Sequence, residues 1–204
     1  MARFQNPAWP PPEAFGDPRN VIDHFKYWRH DAIRAALDAR RNPFVVVLEN
    51  FAHDFNISTA IRNANAFLAR EVWIVGRRRY DRRGAMGTHR YQHVHHAPDQ
   101  AELLTRLKGE GMRIVAVDNI EGARSLVGYA WDPASVMVFG QESIGVSPEA
   151  LALADDAVYI PQYGSTRSIN VGSASAIAMY SYAASALPPP APWDGTAEDQ
   201  PADQ

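Results

Sequence analysis

The sequence predicts an α/β fold, a mostly parallel sheet flanked by helices, and three observations predict it. Phe44-Val45-Val46-Val47-Leu48 is a continuous apolar run rich in β-branched residues, the pattern of a strand buried on both faces. Comparable runs recur at Val72–Val75, Arg113–Val117, Val136–Phe139 and Ala157–Ile160. Stretches with helical spacing lie between most of them, and buried strands alternating with helices imply a parallel sheet covered on its faces. In such sheets ligands sit beyond the C-terminal ends of the strands.

The elements follow in order. The first twenty residues are rich in Pro, Asn and Gly and read as irregular. From Val21 to Arg41 the spacing of Ile22, Phe25, Trp28, Ile33 and Leu37 predicts a helix, ended by Asn42-Pro43. After the strand Phe44–Leu48 come a helix over Ile57–Leu68, the strand Val72–Val75, a basic loop through His96 and a helix over Asp99–Lys108. Then come strands at Arg113–Val117 and Val136–Phe139, a short helix Pro148–Leu153, the strand Ala157–Ile160 and a helix after Ser168. The chain thus divides into an N-terminal irregular segment with an accessory helix (1–42), one folded domain (43–187) and a Pro-rich acidic tail (188–204) expected to be disordered.

Composition sets the limits. At 204 residues, 46% hydrophobic and 21% charged, the chain has room for one domain with a real core and none for two enzymatic domains. With no cysteine it can have neither disulfides nor thiolate chemistry, which fits a cytoplasmic protein. Its N-terminus lacks the basic region and apolar stretch of a secretory signal. The uncharged run Ile169–Leu187 is nearly long enough to span a bilayer. However, its Asn170, Gly172, four serines and two tyrosines suit a helix packed against protein, so no membrane is expected. The net charge of -3 conceals an asymmetry, since Asp194, Glu198, Asp199 and Asp203 all fall in the tail. Between Arg70 and His96 seven arginines face Glu71 and Asp81, a basic patch of the kind that attracts polyanions.

Several site chemistries are excluded. The dinucleotide pattern G-x-G-x-x-G and the nucleophile elbow G-x-S-x-G are absent, and Gly140 to Gly145 lacks the Lys-Ser/Thr of a phosphate loop. His93, His95 and His96 have no accompanying carboxylate set, so no metal site is predicted and the histidines read as part of a polar loop. What remains is polar sequence after three strands: Glu49 to Ala64, Gly140 to Val146 and Pro161 to Val171. Taken singly, Asn56, Ser58 and Ser168 could be helix caps, Arg62 a surface cation and Glu142 a loop stabiliser.

Taken together they resemble a family. N-I-S-T-A-I-R-N-A-N-A-F from Asn56, V-F-G-Q-E-S-I-G-V from Val138 and I-P-Q-Y-G-S-T-R-S-I-N-V from Ile160 are similar, in order, to the three motifs of the SpoU-type (TrmH-like) RNA ribose 2′-O-methyltransferases of the SPOUT superfamily. The resemblance runs from about Phe44 to Ala186. It implies a deep C-terminal trefoil knot, an exception to the rarity of knots, and S-adenosylmethionine bound by main-chain groups at Gly140, Ile160 and Ile169 with the segment after Val117 closing the pocket. It also implies a homodimer, and an RNA substrate, tRNA or rRNA, with tRNA favoured because no separate N-terminal RNA-binding domain is evident.

For chemistry, the resemblance assigns activation of the ribose hydroxyl to Arg62, with Asn56, Glu142, Ser168 and Asn170 in orienting roles. An arginine holds its proton too tightly to be an easy general base. Arg62 is therefore expected to bind the adjacent phosphate and stabilise charge developing on oxygen. Arg77, Arg78, Arg79, Arg82, Arg83 and Arg90, with Tyr80 and Tyr91 nearby, are expected to bind RNA. Gly172-Ser173 departs from the family's usual pattern and leaves the packing at the start of the last helix open. The alternative reading is a catalytically inactive RNA-binding paralogue of the same fold.

Overall fold

The computed structural model describes residues 19–50, 55–141 and 144–191. Seven strands, β1 (Asn42–Asn50), β2 (Ala69–Gly76), β3 (Val94–Ala97), β4 (Arg113–Val117), β5 (Arg124–Ser125), β6 (Ser135–Phe139) and β7 (Asp156–Tyr159), form one sheet in the order β3-β2-β1-β6-β4-β7-β5. Every pairing in it is parallel. Five α-helices accompany it: α1 (His30–Asp38), α2 (Phe55–Ala66), α3 (Gln100–Gly109), α4 (Pro148–Leu153) and α5 (Val171–Ala186).

The apolar runs are continuous because both faces of the sheet are covered. From β1, Phe44, Val46 and Leu48 join a core with Ile57 and Ile61 of α2 and Met179 and Tyr182 of α5. Val45 and Val47 point the other way, into a core with Leu103, Leu104 and Leu107 of α3 and Ala150 of α4. Strand alternation thus sorts one apolar run onto two helical layers.

The structure corrects four expectations. The helix expected over Val21–Arg41 is instead a 3-10 turn at Asp23–Phe25 followed by α1, because Tyr27 adopts a left-handed conformation (φ 65°) that no helix continues through. The apolar spacing survives the break, since Phe25, Ile33 and Leu37 cluster with Tyr91. Asn42-Pro43 opens β1 rather than ending a helix, and a strand's first residues tolerate proline. The basic loop contains 3-10 turns at Arg83–Ala85 and Thr88–Arg90 and the edge strand β3, in which His95 and His96 pair with Trp73 and Ile74 of β2. Finally, the two-residue β5 had no sequence signal of its own.

Candidate active site

The loops after β4, β6 and β7 meet at the C-terminal edge of the sheet around a cleft of about 550 Å³. Val117, Asp118, Asn119 and Ile120 form one wall, and Gly140, Gln141, Ile144 and Gly145 a second. Ile160, Gln162, Arg167, Ser168, Ile169 and Asn170 form the third, with Val171 and Ala174 of α5. The four positions expected at the cofactor, Val117, Gly140, Ile160 and Ile169, all line it, as do Ser168 and Asn170.

Glycine makes the second wall possible. Gln141 and Gly145 exchange main-chain hydrogen bonds (3.0 and 2.8 Å), closing a narrow turn. A Cβ on Gly140 would overlap the main chain of Gly145 and Val146. Gly145 has a left-handed φ of 74°, and a Cβ there would strike the Asp118 carboxylate. That carboxylate accepts from Val146 N at 2.7 Å and from Asn119 N at 2.7 Å, tying the loop after β6 to the end of β4.

The first motif meets the third at the other end of the site. Asn170 caps α5, its Oδ1 accepting from Ser173 N (3.2 Å), while its Nδ2 donates to Asn56 Oδ1 (2.9 Å). Asn63 Nδ2 donates to Gly172 O (2.8 Å) and Ser175 Oγ (2.9 Å), stitching α2 to α5. Gly172 is the point of closest approach, since a Cβ there would lie 2.8 Å from Thr59 Cγ2. The departure from the family pattern at this position is therefore a packing solution. Ser168 and Ser58 do not cap helices; α5 starts three residues after Ser168, and Ser58 lies within α2 with its Oγ donating to Asp81 O. Arg62 stands on the exposed side of α2 and does not line the cleft of a single chain. Glu142 lies outside the described residues.

Several lining residues had not been singled out from the sequence, Asp118 and Gln162 among them. Asp118 is a carboxylate directly after a predicted strand, which is a usable signal. Gln162 lies within the third motif but was not singled out from it; its Oε1 is buried without a hydrogen-bond partner among the described residues, leaving an acceptor for a ligand.

A second concavity, of about 1,130 Å³, runs between α1 and the β2–β3 connection. Arg78, Arg79, Arg82 and Arg90 line it together with Tyr80, and α1 adds His30 and Arg34. Arg77 and Arg83 do not line it, although both had been grouped with the others. Arg83 is held by Asp81 (Nη2–Oδ2, 2.5 Å), and its hydrogen bonds keep the Asp81 carboxyl below the ordinary carboxylate range. Burial, reinforced by the charges of Arg82 and Arg90, lowers the pKa of His89, which also lines the groove. Among the described residues no cluster of three or more His, Asp or Glu could hold a metal. His93 instead meets Asp38 (2.8 Å), His95 stacks on Trp73 and His96 bonds Gly76 O (2.8 Å). No helix among the described residues is long and apolar enough to cross a membrane.

Comparison with known proteins adds to this geometry. A tRNA (guanosine(18)-2′-O)-methyltransferase of Escherichia coli (strain K12) is 34% identical over 146 residues, a match covering 70% of this chain. The chain spans 64% of that relative's length. The crystal structure of the A. aeolicus TrmH/SpoU tRNA modifying enzyme superposes with a TM-score of 0.68 at 25% identity, covering 75% of this chain and 80% of that one. The SpoU methyltransferase AviRb from Streptomyces viridochromogenes, solved in complex with the cofactor AdoMet, shares the fold with a TM-score of 0.61 at 22% identity, over 70% of this chain and 57% of that one. The model of the SpoU rRNA Methylase family matches residues 43–180, which contain the cleft and all three motifs, and the chain belongs to that family.

Proposed function

We propose that this protein is an S-adenosylmethionine-dependent methyltransferase acting on a ribose 2′-hydroxyl of tRNA. One observation carries the reading: the second and third family motifs, far apart in sequence, line one cleft whose volume lies in the range of small-molecule sites, and the first motif is joined to its rim by the Asn56–Asn170 hydrogen bond. The lining fits the donor. Val117, Ile120, Ile160 and Ile169 offer an apolar slot, Gln162 an unpaired acceptor, and Asp118 and Arg167 opposite charges for an amino-acid head group. Bound there, the donor supplies a sulfonium methyl group, whose transfer breaks the S–C bond, returns its electron pair to sulfur and releases the hydroxyl proton.

The protein's part is alignment and charge. A ribose hydroxyl is a poor nucleophile at neutral pH, so reaction needs its oxygen held in line with the methyl carbon. Asn56 and Asn170, joined to each other, fix the rim of the cleft; Ser168 and Glu142 complete the orienting set. Arg62 holds the neighbouring phosphate, stabilises negative charge growing on oxygen and leaves that phosphate to accept the departing proton. Its exposed position suits a group that reaches toward RNA. Arg78, Arg79, Arg82 and Arg90 guide the RNA body along the groove beside α1. We favour tRNA over rRNA because the E. coli relative and the A. aeolicus neighbour are both named for tRNA.

Three further features belong to the same proposal. β4 and β5 flank β7 on opposite sides and are joined by residues 118–123, an arrangement that supports a C-terminal trefoil knot. Exposed Ile177 and Tyr180, one turn apart on α5, support a homodimer in which a second chain completes the site around Arg62. We place the enzyme in the cytoplasm, where the donor and tRNA occur together. We retain residues 43–187 as the catalytic domain, with 1–42 and 188–204 as appendages.

The test is transfer of labelled methyl from the donor to purified tRNA and rRNA, followed by alkaline hydrolysis, which a 2′-O-methyl group blocks. Label in alkali-resistant dinucleotides of tRNA is the expected result. Donor binding without transfer to either RNA would instead support the inactive RNA-binding paralogue.

A further inference from the structure

Glu49 is a buried carboxylate, 3% exposed at the end of β1, that none of the chemistry above uses. Its hydrogen-bond partners are neutral donors. Oε1 accepts from Gln100 Nε2 (2.5 Å) and Ser147 Oγ (2.7 Å), and Ser147 N approaches both carboxylate oxygens (3.2 and 3.1 Å). Burying an ionisable group costs stability unless hydrogen bonds replace its water, and here they come mainly from one place, Ser147.

That place adjoins the donor cleft. Ile144 and Gly145 line the cleft, and the chain that follows them reaches α4 at Ser147, the helix's N-cap. Two carboxylates grip consecutive main-chain N–H groups there, Asp118 just after β4 at Val146 and Glu49 from β1 at Ser147. Glu49 also borders a cavity of about 20 Å³ shared with Asn56, Gly140 and Val171, which places it beside both the rim and the glycine wall. A glutamine could not replace it without turning one acceptor into a donor facing donors.

We propose that Glu49 is a positioning residue for the methyl donor, pinning the stretch from Ile144 to Ser147 so that this wall of the cleft is preformed before the donor arrives. The inference rests on reading the 550 Å³ cleft as the donor site. Preformation lowers the ordering cost of binding, so its loss shows in donor affinity.

The experiment is calorimetric titration of S-adenosylmethionine into the full chain, with tRNA affinity measured in parallel. Glu49→Gln is expected to raise the donor dissociation constant about tenfold, the loss of one charge-assisted hydrogen bond, and to leave tRNA affinity within about twofold. Ser147→Ala keeps the main-chain N–H and is expected to raise it about threefold, and the double variant to be no weaker than Glu49→Gln alone. Amide exchange at Val146 and Ser147 should quicken in Glu49→Gln while the rest of the sheet stays protected. Wild-type donor affinity in folded Glu49→Gln, or equal losses of donor and tRNA affinity, overturns the proposal. If Glu49→Gln does not fold, unchanged donor affinity in Ser147→Ala overturns it. A wild-type chain that binds no donor removes the reading of the cleft itself, a separate result.

Discussion

Asn170 Nδ2 lies 2.9 Å from Asn56 Oδ1, a hydrogen bond between residues 114 positions apart that joins the first turns of α2 and α5. Asn170 also caps α5 through its other amide atom, so its two duties can be separated. Asn170→Asp keeps the cap but sets a carboxylate against Asn56 Oδ1. It should hold thermal stability within about 1 kcal/mol, the scale of a cap, yet lose methyl transfer to the extent that Asn56→Ala does. The Asn56→Ala/Asn170→Asp double variant should be no worse than either single one. Additive losses in transfer assays would show that the pair does not act as a unit.

Arg62→Ala should lower the transfer rate by about 100-fold to 1,000-fold, the scale of removing a transition-state donor, with donor affinity unchanged. Arg62→Lys should recover only a small part, since an ammonium cannot reproduce the guanidinium fork. Near-wild-type transfer by both variants would remove Arg62 from the chemistry.

Gly172→Ala sets a methyl against Thr59 Cγ2 and, at 2.9 Å, Asn170 Oδ1. Overpacking of this kind should cost about 1–3 kcal/mol in urea unfolding. Adding Thr59→Ser removes Cγ2 and should recover part of the loss; no recovery would locate the strain elsewhere.

Substituting Arg78, Arg79, Arg82 or Arg90 by Ala should each reduce the slope of log affinity for tRNA against log salt by about one. Arg83→Ala should change it less, because Asp81 already holds that guanidinium. Equal effects at all five would mean the groove does not define the RNA track.

His89 gives a pH signature. Burial, then Arg82 and Arg90, lower its pKa in the folded chain, so the unfolded chain binds more protons between that lowered value and about 6.5. Stability should therefore fall as pH drops through that window. A bound phosphate acts in the opposite direction, favouring the charged ring, so tRNA binding should take up protons and strengthen as pH falls through the same window. His89→Asn should flatten both profiles in unfolding and binding titrations.

The apolar runs made the fold legible: Phe44 to Leu48 has no polar residue to assign to a wet face, and both faces are covered. Elements held by tertiary contacts rather than by pattern were not legible. β3 carries histidines and exists because β2 offers it an edge, and the left-handed Tyr27 splits a region with uninterrupted helical spacing. At the site, the motif resemblance located Gly140, Ile160, Ile169 and Asn170 on one cleft. Glu49 and Asp118 were not singled out: Asp118 holds main-chain N–H groups, which a sequence does not mark, and the partners of Glu49, Gln100 and Ser147, lie far from it along the chain. The sorting of Arg83 away from Arg82 depends on a single neighbouring carboxylate.

The strand order has a consequence for biosynthesis. β7 is the last strand made, yet its berth lies between β4 and β5, both of which leave the ribosome some thirty or more residues earlier. Until residue 159 emerges, β4 presents a bare apolar margin able to pair with a neighbouring nascent chain. Translation that stalls between β6 and β7 should thus yield aggregates rather than a partly working protein.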